Sequence, residues 1–103
     1  MDGQMALFDV EKGERFKAQA DEWVMRNPDA WAFIKHQAAL RVQDKKRFGI
    51  GELCEQVRWH MYAQGNTAFK VNNNHRAALA RRLVIEFPAC KDYFEMRSSV
   101  IAL

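Results

Sequence analysis

Little in this chain serves a covalent framework, a metal site or a membrane anchor. Only two cysteines, Cys54 and Cys90, occur in 103 residues, and they lack CxxC spacing. That excludes a disulfide scaffold and reads instead as reduced, half-buried thiols of a cytosolic protein. No apolar run approaches the roughly 20 residues that a membrane helix needs. The opening "MDGQMALFDVEK" starts with an acid and has neither a basic region nor a long apolar stretch, so it does not read as a secretory signal. There are no repeats and no low-complexity tracts. HExxH, paired Cys/His metal spacing, a Walker loop and a nucleophile elbow are all missing. His36, His60 and His75 are scattered, His60 at a helix end where a structural or surface role is expected. No carboxylate pair is spaced for acid–base work. The expectation is a protein that is not an enzyme and takes no cofactor or metal.

What the chain does have is apolar content and uneven charge. Nearly half of its residues are apolar and 12% are aromatic, enough for one compact domain with one core. Net charge is +3, but residues 1–30 hold four basic and seven acidic side chains, whereas residues 31–103 hold twelve and six. This pattern suits a body that faces a polyanion behind an acidic N-terminal segment, and equally an ordinary solvated surface.

Residues 1–8 read as a flexible tail, ahead of a single domain over 9–103. Between Asp9 and Arg26, Phe16, Ala20, Trp23 and Val24 share one helical stripe. Asn27 can cap a second helix with Pro28 at its first position, running to about Lys46 with Trp31, Ile34, Ala38 and Val42 inward. A third helix is expected from about Gly51 to Tyr62, burying Leu53, Cys54, Val57 and Met61. "AQGN" reads as a turn, and "TAFKV" alternates like a short strand. The fourth helix, 73–87, buries Leu79, Ala80, Leu83, Val84 and Phe87 and is ended by Pro88. "YFEMR" alternates again and can pair with "AFKV" as a two-stranded wing. The fold expected is mainly α with a small β ribbon, a winged-helix-like, helix-turn-helix domain of about four helices. One departure from the usual winged helix is that the first strand lies between the last two helices.

The stretch "NTAFKVNNNHRAALARR", Asn66 to Arg82, carries the functional expectation. Stepping 100° per residue from the centre of the apolar stripe places Ala78 and Ile85 outward, Arg81 and Arg82 beside them, and Asn74 at the tip. A small residue flanked by arginines lets a helix approach a groove, where Arg reaches phosphates or guanine edges and Asn pairs with adenine. Asn72 or Asn73 would cap the helix, leaving Asn74 and His75 to face a partner. The alternative is that all three asparagines only shape the turn. Arg76 points toward the apolar face and is expected to pair with Glu52 or Glu55. Lys45, Lys46, Arg47 and Lys70 add backbone-contact cations, or a merely solvated helix end.

The segments "NPDAWAFIKHQA", "FGIGELCEQVRW", "FKVNNNHRAALARRL" and "FEMR" together resemble a widespread family of small phage- and prophage-encoded, winged-helix-like proteins. The matching positions are Asn27, Pro28, Trp31 and Phe33; Phe48, Arg58 and Trp59; Phe69, Lys70, Asn72, Asn73 and Asn74; Ala80 and Arg81; Phe94 and Arg97. His75 and the "AALA" run stand where that family's pattern has more aromatics. The resemblance implies a phage or prophage origin and brings no activity with it. Separately, "QMALF", with Gln4, Met5, Leu7 and Phe8, resembles the short peptide by which bacterial replication and repair proteins dock on the sliding clamp. Such a peptide joins one hydrogen-bonding amide to two bulky pocket-filling side chains. Leu7 and Phe8 folding back on the core is the alternative.

These readings give a DNA-binding accessory or regulatory protein of the bacterial cytoplasm, with duplex DNA as partner and no membrane. The alternative is an interaction protein that binds a host protein, such as the clamp or a defence complex.

Overall fold

Four helices carry the architecture in the computed structural model, which describes residues 2–95, with side chains from residue 14 onward. They are α1 (Asp2–Arg26), α2 (Pro28–Gln43), α3 (Ile50–Ala63) and α4 (Arg76–Glu86). Short 3₁₀ turns, Asn73–His75 and Pro88–Asp92, bracket α4. Helix α4 is packed against α1, α3 and the second turn, while α2 lies on α3. The apolar stripes meet in one core: Ala20 and Val24, Trp31, Ile34 and Ala38, Leu53 and Val57, Leu79 and Leu83 are all buried. Burying a Leu or Ile side chain contributes about 1.5–3 kcal/mol, so these positions supply most of the driving force.

Both α2 and α3 end in a Schellman motif. At α3, Gly65 and Asn66 donate their N–H groups to the carbonyls of Tyr62 and Met61, and Gly65 takes φ = 97°. At α2 the same pair of bonds runs from Lys45 to Val42 and from Lys46 to Arg41, but here Lys45 takes the left-handed position at φ = 56°. The second helix therefore stops at Gln43 rather than at Lys46, because these bonds close its last carbonyls.

Helix α1 begins at Asp2, so its helical backbone includes residues 2–8. One expectation about backbone is corrected. Among the described residues there is no strand, and hence no β ribbon or wing. The only ladder contact among the described residues is a single parallel bridge between Phe48 and Phe94. The alternation in "AFKV" comes instead from lying across α1. Phe69 is buried with its ring 5.9 Å from that of Trp23, whose Nε1 donates to the Lys70 carbonyl at 3.4 Å. The alternation near Phe94 reflects its edge-on packing on Phe48, at 5.1 Å. Met96 and Arg97 lie outside the described residues.

Candidate nucleic-acid interface

The three asparagines divide their work. Asn72 Oδ1 accepts the N–H of Asn74 at 2.8 Å and the Asn72 carbonyl accepts that of His75 at 2.9 Å, so Asn72 caps the 3₁₀ turn that leads into α4. Its partners Asn73 and Asn74 are left with exposed side chains. His75 is turned the other way: its Nε2 meets Gln19 Oε1 at 3.0 Å and its ring lies against Phe16. It serves the α1–α4 junction and does not face outward.

The adjacent arginines have opposite roles. Arg82 Nη1 donates to Asp21 Oδ1 at 2.8 Å and its Nε donates to Glu86 Oε2 at 2.6 Å. Its guanidinium also lies 6.0 Å from the centre of the Trp31 ring. Glu86 further accepts from Trp31 Nε1, at 3.1 and 3.2 Å, and from Lys35 Nζ at 3.3 Å. The Glu86 hydrogen bond chiefly holds the Arg82 guanidinium more firmly charged than usual. Partial burial works to raise the Glu86 carboxyl, but hydrogen bonds from Arg82, Trp31 and Lys35 outweigh it and leave the group below its ordinary value. Arg82 thus joins α1, α2 and α4. Arg81 is exposed and has no ion pair among the described residues.

Ala78, expected to point outward, is 7% exposed, because α1 lies over that side of α4. The two helices border a groove of about 590 Å³ lined by Ala78 and by Ile85, which is 73% exposed. Glu14, Lys17 and Asp21 rim it from α1, and Arg81, Arg82 and Glu86 from α4. Three carboxylates offset three cations, so the groove has no net attraction for a phosphate backbone. The outer face of α4 is not the evenly basic surface that the sequence suggested.

Of the remaining cations, Lys45, Lys46 and Lys70 are exposed and have no ion pair among the described residues. Arg47 pairs with Glu95 at 3.4 Å. Arg76 reaches Glu55 at 3.9 Å, the structural pairing expected of it. Gln4, Met5, Leu7 and Phe8 fall on the helical backbone of α1, and their side chains lie outside those described.

Sequence reasoning missed the outer face of α3. Arg58, Trp59 and Tyr62 lie together there, with the Arg58 guanidinium 5.0 Å from the Trp59 ring centre and Trp59 and Tyr62 edge to face at 5.9 Å. The signal was present: Glu55, Arg58, Trp59 and Tyr62 recur at i, i+3, i+4 and i+7, a second stripe opposite the buried one.

Among the described residues, no group of three or more His, Cys, Asp or Glu side chains could hold a metal. No helix described is long and apolar enough to cross a membrane. Cys54 and Cys90 are free and buried, and burial pushes the Cys54 thiol up to about 11. His60 stacks on Phe33 at 4.1 Å. No family model, curated protein or solved structure matches the chain.

Proposed function

We propose that the protein is a small, non-enzymatic DNA-binding accessory or regulatory protein, phage- or prophage-encoded and working in the bacterial cytoplasm. One observation carries this reading. Of the six cations that the sequence singled out, four, Lys45, Lys46, Lys70 and Arg81, are exposed and without an ion pair among the described residues. A cation that is not already neutralised is free to replace the counterions of a phosphate backbone. Asn73 and Asn74 add exposed amides at the start of α4, suited to phosphate and base edges.

The test is fluorescence anisotropy of a labelled duplex across a salt series. Binding should weaken with salt, and the double variant Arg81→Glu/Lys70→Glu should lower the slope of log affinity against log salt by about 1.8, at about 0.9 per phosphate contact. A native protein that binds no duplex at low salt would sink the proposal.

The α1–α4 groove favours a second reading, a protein partner. Ile85 is 73% exposed beside a charge-balanced rim, which rewards an apolar side chain more than a phosphate. Binding of the sliding clamp or another host protein would then survive salt. It would be lost on Ile85→Asp if the groove docks it, or on Leu7→Ala/Phe8→Ala if the N-terminal peptide does.

A further inference from the structure

Trp59 and Tyr62 are 60% and 55% exposed, although aromatic rings of this size ordinarily bury much of their area. Their planes meet at 70°, edge to face, so they stand as two walls of a notch, and the Arg58 guanidinium lies over one face of the Trp59 ring. Phe69, from the segment that crosses α1, contributes to the lining, with Arg58, Asn66 and Thr67 around a hollow of about 180 Å³. That is smaller than the roughly 300–1,000 Å³ of a pocket for a drug-sized ligand, and it suits one planar ring.

The charges nearby choose among ligands. Glu55 is the carboxylate beside this stripe, and Arg58 and Arg76 already share it, at 2.9 and 3.9 Å. Two cations on one acid leave an excess of positive charge, and Lys70, exposed and without an ion pair among the described residues, directly follows Phe69 in the chain. Arg58 is the charged residue of the lining itself, and with this surrounding excess of positive charge it disfavours a cationic ligand and favours a polyanionic strand. Asn66 and Thr67 supply an amide and a hydroxyl for the edge of a ring.

We propose that this notch receives an unpaired base of single-stranded DNA. The base stacks on Trp59 or Tyr62, its edge meets Asn66, and Arg58 lies toward the adjoining phosphate. The inference rests on the nucleic-acid reading above and adds to it a preference for single strands, since a base held inside a duplex offers no free face to these rings.

The test uses the full chain with a labelled twelve-nucleotide oligothymidylate, an oligouridylate of the same length and a duplex, in low salt. Both Trp59 and Tyr62 are solvent-facing, so Trp59→Ala should keep the fold, which far-ultraviolet circular dichroism checks. The expected result is tighter binding of oligothymidylate than of duplex. Trp59→Ala should weaken the strand about ten-fold or more while leaving the duplex unchanged, and Trp59→Phe should restore most of the loss. If both nucleic acids bind and Trp59→Ala alters neither, the notch holds no base, although the nucleic-acid reading stands. If neither binds, both proposals fall together. Oligouridylate that binds through Trp59 where oligothymidylate does not would overturn the assignment to DNA.

Discussion

Arg82 of α4 is held by Asp21 of α1 at 2.8 Å, while Arg81, the preceding residue, has no ion pair among the described residues. The 100° step between them puts one guanidinium at the helix junction and the other in solvent. Their substitutions should therefore separate two properties that a basic pair usually confounds. Arg82→Ala removes two ion pairs and a contact with Trp31, and should lower unfolding free energy by about 1–2 kcal/mol in urea titrations. Arg81→Ala should stay within about 0.5 kcal/mol of the native protein. Equal losses for the two variants would contradict the division of roles.

Glu86 makes acid stability a second test. Its carboxyl lies below the ordinary value of 4.5 in the folded protein, because donors on α2 and α4 outweigh the burial that works to raise it. The folded state therefore binds fewer protons at this group than the unfolded chain does. The stabilisation is fully present above the ordinary value and is lost as pH falls through the lower, folded one. Urea midpoints at neutral and acid pH should diverge for the native protein, and diverge less for Glu86→Gln. Parallel acid profiles would assign the loss to other carboxylates.

The two Schellman motifs make a matched pair with different residues in the left-handed position. Gly65 occupies it in α3 at no steric cost, whereas Lys45 in α2 crowds its Cβ against the backbone at φ = 56°. Lys45→Gly should stabilise the fold by up to about 1 kcal/mol, and Gly65→Ala should destabilise it by a similar amount. Thermal melts of the two variants should move in opposite directions. A lowered midpoint for Lys45→Gly would mean that its side chain contributes more than its backbone strain costs.

The buried stripes of α1, α2 and α3 were legible because one face of each helix meets the core, and period 3.6 reports a single buried face well. It reports a helix covered from two sides poorly. Ala78, Leu79 and Ala80 are consecutive and all buried, because α4 has α1 on one side and the rest of the core on another. A stripe centred on Leu79 and Leu83 therefore aimed Ala78 and Arg82 into solvent, where neither one points. The wing is absent among the described residues for a related reason. Period 2 in Phe69 and Val71 records which side chains pack on the core, and a strand is only one way to produce that pattern. Trp59 and Tyr62 stood at helical spacing on a face where the core needed nothing, a signal available from sequence and passed over.

The asparagine run offers the sharpest remaining test, because its three identical side chains stand in two different environments. Asn72 Oδ1 accepts the N–H of Asn74, so Asn72→Ala leaves a helix-start donor without its cap and should cost about 1 kcal/mol. Asn72→Asp keeps the acceptor and adds a negative charge at the positive end of the helix dipole, so stability should return. Asn73→Ala and Asn74→Ala remove only exposed amides and should leave urea midpoints nearly unmoved. If the start of α4 contacts nucleic acid, that pair of substitutions should nonetheless weaken duplex binding in the anisotropy assay, whereas Asn72→Asp should weaken it only through its added charge. Native affinity in the Asn73→Ala/Asn74→Ala protein would reduce the run to a turn and a cap, and would confine the interface to the cations.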